Sequence, residues 1–303
     1  MRIMTANFGS TAGLFFATMA WGASFFLVKK AVALVGLWPF LFYRLGLAAV
    51  LLALFVPKKL FKSSPKLMAK GLTLGFILFL TIWTQTQGLQ WTTATKSGFI
   101  TALYVPFTPL MAWVIFRHSL VARQMAVALL AFSGLYLLTA FGKQEVLKDF
   151  NKGDLWTLAC SSLAAIHIVV TGRFSKEETD SLGLGLWQFL GCFAATAIAV
   201  LLQDDHGKFA WNIFQWPTFG IFSVVFNGAI STVFSFVMQI IAQRHMTSLK
   251  AALIFALEAP VSSGLSYIFL GETMTPVEFC GAGIVLLTSI IPQSWIAQVK
   301  GKD

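Results

Sequence analysis

Read from its first residue, the chain alternates long apolar runs with short polar gaps. A membrane helix needs about 20 mostly apolar residues. Ten runs reach or approach that length: 11–30, 38–56, 71–90, 94–116, 122–142, 154–172, 181–203, 217–241, 248–270 and 276–294. Pro39, Pro217 and Pro276 suit first-turn positions, where a missing N–H leaves no hydrogen bond unmade. Thr275, followed three residues later by Glu278, has the form of a capping box and predicts a sharp start for the tenth span. The gaps leave no room for a soluble domain. The first apolar run is preceded by one charge, Arg2, and is read as a retained span rather than a cleaved leader.

Composition agrees with this pattern. Of 303 residues, 57% are hydrophobic and 11% are charged, whereas a soluble domain carries roughly 25% charged residues. Such a surface must face lipid. The net charge of +10 does not point to nucleic acid, because the cations sit in the gaps between apolar runs and form no basic face. Cys160, Cys192 and Cys280 lie singly in apolar runs and fit neither a disulfide framework nor a metal spacing. With the N-terminus inside, 13 of the 22 lysines and arginines fall on the inner side and 6 on the outer, and Arg44, Lys96 and Lys250 stay within spans. The bias predicts two cytoplasmic termini in a bacterial-type inner membrane.

A shift of the chain by 154 residues brings Lys96 onto Lys250, Ala102 onto Ala256, Pro106 onto Pro260, Ala128 onto Ala282 and Gln85 onto Gln239. A charged residue and a proline repeated at one separation predict an internal duplication. Five spans per copy is an odd number, so the second copy would enter the membrane from the opposite side. Inverted repeats of that kind are found in many secondary transporters. The expected organisation is a first repeat over 1–142, an outer connection over 143–153 and a second repeat over 154–303.

Several stretches resemble one family. Thr95-Lys96-Ser97-Gly98-Phe99-Ile100-Thr101-Ala102-Leu103-Tyr104-Val105-Pro106, continuing to Pro109, is similar to the fourth span of EamA-type members of the drug/metabolite transporter superfamily. Gly134-Leu135-Tyr136-Leu137-Leu138 resembles the end of the fifth. Ala20-Trp21-Gly22-Ala23-Ser24-Phe25 resembles a first-span pattern, and Leu257-Glu258, Leu270-Gly271-Glu272 and Thr275-Pro276 resemble signatures of the second half. Ala259 stands where the family usually has proline, and Arg117-His118 replaces its Gly-Glu. The resemblance implies an all-α membrane protein of about ten helices, in two inverted five-helix repeats around a central cavity, and a transport function for amino acids, other metabolites or drugs.

No catalytic constellation is visible. His118, His167, His206 and His245 are scattered, and no glycine-rich phosphate loop follows a strand. An enzyme is not expected, nor a metal, a cofactor or a nucleic-acid partner. Glu258 is the one acid placed deep in a span, ten residues into span nine and, at about 1.5 Å per residue, near the midplane. Ionisable groups there mark pathways or relays by default, and this one could carry a proton as coupling ion or hold a substrate ammonium group; a structural glutamate bonded to a neighbouring helix is the plain alternative.

Trp21, Trp83 and Tyr104 are candidate cavity aromatics, each beside polar residues: Ser24, Gln85 with Gln87, and Thr101. Gln239 is the repeat mate of Gln85, and His167 is a candidate proton carrier. Lys96 and Lys250 occupy first turns, where a cation opposes the helix dipole by about 0.3–1 kcal/mol. Snorkelling or gating at opposite mouths explains them better than helix stability. Arg44, one and a half turns into span two, is expected to make a structural pairing or a substrate contact.

The function read from these residues is secondary transport of a small substrate, an amino acid or similar zwitterion or cation, as an exporter, by a monomer or homodimer in the lipid bilayer. The alternatives are import of a larger cofactor- or nucleotide-like metabolite, a channel, and a lipid-linked flippase.

Overall fold

The computed structural model describes residues 2–142, 150–203, 211–261, 263–264 and 274–296. Every regular element among them is helical. In chain order they are α1 (Arg2–Val35), α2 (Leu37–Phe55), α3 (Pro57–Lys62), α4 (Pro65–Leu89), α5 (Ala94–Thr101), α6 (Tyr104–Phe116), α7 (Ala122–Thr139), α8 (Lys152–Glu177), α9 (Ser181–Leu201), a 3₁₀ turn (Ile213–Gln215), α10 (Thr218–Val225), a π-helical segment (Phe226–Phe234), α11 (Ser235–Gln243), α12 (Ser248–Phe255), α13 (Pro276–Ile290) and α14 (Gln293–Ile296). Among the described residues, eight helical stretches are long and apolar enough to cross a membrane, and Pro276–Ile290 is a shorter apolar helix. They match nine of the ten expected runs. The far end of span nine, 265–270, lies outside the described residues, as do Gly271, Glu272, His206 and most of the 143–153 connection.

Local chemistry sets several boundaries. Gly36 has φ 86° and turns the chain between α1 and α2, a conformation that strains any residue with a Cβ. Thr275 and Glu278 form the expected capping box, with the Thr275 N–H donating to Glu278 at 2.7 Å. α4 starts at Pro65, six residues before the apolar run at 71–90. Ser64 caps it, accepting from the Leu67 N–H, and Pro65 fits its first turn. The early turns can be polar because the Lys70 ammonium is held by Glu177 at 2.8 Å and Glu178 at 2.6 Å.

The helices pack where small residues let backbones approach. A Cβ on Gly75 would stand 2.3 Å from the Gln188 carbonyl, and one on Gly281 would stand 2.5 Å from the Leu138 amide nitrogen. These contacts join α4 to α9 and α7 to α13, the kind of crossing that lipid-embedded helices favour. Buried clusters fill the interior around Leu14, Val105, Leu135 and Leu253, and around Phe40, Leu78 and Phe189. Leu54, Phe55, Leu201 and Ile290 stay exposed, as suits contact with acyl chains.

Candidate functional site

The site begins at two broken helices. The run expected as one span at 94–116 divides at Ala102–Leu103 into α5 and α6. α12 ends in the same way at Ala256–Leu257. The two interruptions follow one hydrogen-bond sequence. Ala102 N–H donates to Gly98 O at 3.1 Å, Leu103 to Ile100 at 3.1 Å, Val105 to Ala102 at 3.0 Å and Phe107 to Leu103 at 3.1 Å. Shifted by 154, Ala256 donates to Ala252 at 3.0 Å, Leu257 to Ile254 at 3.1 Å, Ala259 to Ala256 at 3.4 Å and Val261 to Leu257 at 3.0 Å. Pro106 and Pro260 lack the N–H that a continuous helix would aim at Ala102 and Ala256. Thr93 and Thr247, again 154 apart, cap the two short helices. Directly after the breaks stand Tyr104 and Glu258, which occupy the same repeat position and meet: the Tyr104 hydroxyl donates to Glu258 Oε1 at 3.3 Å.

The opposite wall is the π-helical segment. Its wide turn displaces polar groups from their α-helical places; Ser235 Oγ, for example, donates five residues back to Ile230 O. Such segments recur at functional sites. Trp21 Nε1 donates to Ser231 O at 2.8 Å, Ser24 Oγ bonds Asn227 Oδ1, and Arg44 Nε donates to Thr232 Oγ1 at 3.1 Å. The Trp21 indole lies 5.2 Å from the Phe236 ring and 5.0 Å from Phe255. From the third side, His167 Nε2 faces Gln188 Oε1 at 3.4 Å, and Gln239 donates to Gln243, which donates to Ile168 O.

Eight of the residues singled out in the sequence line one cavity of about 100 Å³: Trp21, Ser24, Arg44, Gln85, Tyr104, His167, Gln239 and Glu258. Thr101, Cys160, Ser231, Phe236 and Phe255 complete much of its wall. Asn227, Ser231 and Thr232 carry the partners of three cavity residues and were not foreseen, although Asn227-Gly228 and Ser231-Thr232 are the polar interruptions in an otherwise apolar run.

Trp83 lies elsewhere. It packs among Phe79, Trp38 and Trp156 with centroids 5.3–6.3 Å apart, because residues two apart on a helix point to nearly opposite sides, which turns it away from Gln85. The lysines do not line the cavity either. Lys96 pairs with the fully buried Asp154 at 2.6 Å, and Asp154 also accepts from Thr92 and caps α8 with Asn151. Lys250 donates to the carbonyls of Ser289 and Ile291, so it caps the C-terminal end of α13, where the dipole favours a cation. Among the described residues, no three histidines, cysteines or acids converge on a possible metal position.

Residues 10–140 and 151–291 each match the EamA-like transporter family. The chain belongs to that family. It is 30% identical over 281 residues to an "Uncharacterized transporter" of Archaeoglobus fulgidus, covering 92% of this chain and 84% of that one. A solved crystal structure superposes with a TM-score of 0.70 at 14% identity, over 93% of this chain and 95% of its own, and shares the fold. The transporter is thus a multi-pass membrane protein, with its two halves matching one family and the cavity formed by both of them.

Proposed function

We propose that the chain is a secondary transporter that exports a small zwitterion, an amino acid or similar compound, by alternating access through the Tyr104–Glu258 cavity. One observation carries this reading. Arg44 and Glu258 are both buried, at 3% and 7% exposure, in the wall of the same cavity. Among the described residues their hydrogen-bond partners are neutral: Thr232 for Arg44 and Tyr104 for Glu258. A buried charge without a counter-charge is costly by several kcal/mol. A molecule with a carboxylate at one end and an ammonium at the other supplies both. A volume near 100 Å³ suits such a molecule and is small for a nucleotide-like metabolite.

In this reading two inverted repeats, 1–142 and 154–303, exchange inward and outward access, and the 143–153 connection lies outside. Both termini are cytoplasmic, in the inner membrane. The broken helices hold the substrate, as in other transporters whose substrates bind at interrupted spans, and one repeat rocks or gates against the other around them. Glu258 either exchanges protons with each side as the coupling group or holds the ammonium. The protein works as a monomer or homodimer.

The test is counterflow in proteoliposomes with three compounds of matched size: an amino acid, its decarboxylated amine and its deaminated acid. Exchange of the amino acid alone is expected. Glu258→Gln and Arg44→Gln should each weaken it by about tenfold to a hundredfold, the worth of a hydrogen bond to a charged group. Equal exchange of all three compounds would overturn the zwitterion reading. A Glu258→Gln variant that keeps counterflow but loses gradient-driven transport would assign Glu258 to protons instead of substrate.

A further inference from the structure

A second cavity of about 370 Å³ lies apart from the first, between α6, α7, α8 and α12. Its walls come from α6 between Thr108 and Phe116, the loop at His118 and Ser119, the first turn of α7, the last turns of α8 and the first turn of α12. Span ends lie at the head-group level of a bilayer. The lysine and arginine bias assigns these ends to the cytoplasmic side.

The lining has a marked chemistry. Arg173, Lys176 and His118 contribute basic groups, and Gln124 contributes the amide hydrogen that its bond to the Ile296 carbonyl leaves over. Among the described residues, no carboxylate lines it. The acids nearby, Glu177 and Glu178, are bound to Lys70, Glu177 also holding Arg173 Nε. Lys176 has no ion pair among the described residues. The remaining wall is apolar, with Phe116, Val169 and Leu249. Ile168 lines the central cavity and its neighbour Val169 lines this one. Gln243 and Ser248 both donate to the Ile168 carbonyl, at 2.9 and 3.4 Å, and Gly172 packs so tightly that a Cβ there would stand 2.3 Å from Ser248 Oγ.

We infer that this cavity is a binding site for a phosphate group, presented by an anionic lipid of the cytoplasmic leaflet or by a free phosphorylated compound. Two cations and the Gln124 amide match phosphate oxygens, which take charge-assisted hydrogen bonds. The apolar flank beside them matches the glycerol and first acyl carbons of a lipid. Basic pockets between membrane helices on the cytoplasmic side commonly take such head groups. The site is distinct from the zwitterion cavity and stands whether or not that reading survives.

The test uses the full-length protein, purified in detergent and stripped of lipid, with thermal unfolding followed by tryptophan fluorescence. It is titrated separately with dioctanoylphosphatidylglycerol, dioctanoylphosphatidylcholine and inorganic phosphate. A saturable rise in Tm of several degrees is expected with phosphatidylglycerol and none with phosphatidylcholine. A rise with inorganic phosphate as well would assign the site to any phosphate group, and its absence would assign it to the lipid. Lys176→Gln, which breaks no internal bond, and Arg173→Gln should each weaken the effect at least tenfold, and Lys176→Arg should keep it. Lys62→Gln with Lys66→Gln is the control for general surface charge. No rise with either anion, an equal rise with phosphatidylcholine, or a rise lost equally in the control would overturn the inference.

Discussion

Lys96 and Lys250 stand at equivalent places in the two halves, yet they do different work. Each sits against the dipole of its own short helix and gains by steadying the end of another: Lys96 the start of α8 through Asp154, Lys250 the finish of α13 through two carbonyls. The sequence marked both as exceptional cations, because a lysine in a first turn is unfavourable and needs a reason. It could not name their partners, since Asp154 lies 58 positions from Lys96 and Ser289 lies 39 from Lys250.

Asp154 has no exposure and the Lys96 side chain 7%. Removing one member of a buried pair costs about 3–5 kcal/mol. Asp154→Asn is therefore expected to lower the Tm of the purified protein strongly, while Lys96→Met with Asp154→Leu recovers much of the loss. Full stability of Asp154→Asn alone would show that the pair contributes little.

At the scale of elements, nine of the ten runs expected from the sequence match apolar helices, and the interruptions within two of them were not legible there. Apolar periodicity measures which stretches prefer lipid, and α5 with α6 prefers it throughout. The breaks depend on Pro106 and Pro260, each of which removes one hydrogen bond and leaves the outcome to packing. Around Tyr104 and Glu258 that outcome is an opening of the helix toward its partner rather than a gentle bend. The π-helical turn is less legible still. One extra residue in a turn changes no composition, and its gain lies in the bonds to Trp21, Ser24 and Arg44, all from other helices.

If the breaks serve movement, Pro106→Ala and Pro260→Ala should straighten them. Each restores an N–H, and thermal stability should hold, since both prolines stand in first turns, where a missing N–H costs little. Transport in proteoliposomes should fall by about tenfold, a barrier change near 1.4 kcal/mol. Transport at the wild-type rate in both variants would make the breaks incidental.

For the whole molecule, the remaining question is which way it lies. The inner-side excess of lysine and arginine predicts that the turn at α3 faces the cytoplasm and the turn after α4 faces outward. Lys62 and Gln90 are both exposed and stand at these two turns. In a background without Cys160, Cys192 and Cys280, a cysteine at Gln90 should react with an impermeant reagent on intact cells, and one at Lys62 should react only after lysis. The reverse pattern would turn the molecule over, and labelling of both would mean dual insertion.

The order of the spans, the family and the polar residues that cavity walls need were all readable in one dimension. Lipid solubility is a property of composition, and a polar side chain within an apolar run advertises its own cost wherever it lies. Eight of the candidate residues reached one cavity for that reason: each had to turn inward, and the molecule has a shared inside. Partnership was not readable. Trp83 went to an aromatic stack, Lys96 found an acid, Lys250 found carbonyls, and Tyr104 met Glu258 across the two halves. Such choices are made by distances between helices far apart in the chain, which glycines such as Gly75 and Gly281 set by letting backbones touch. Only the tertiary structure holds those distances, because burial sets the direction a side chain must face, and packing alone decides what it meets there.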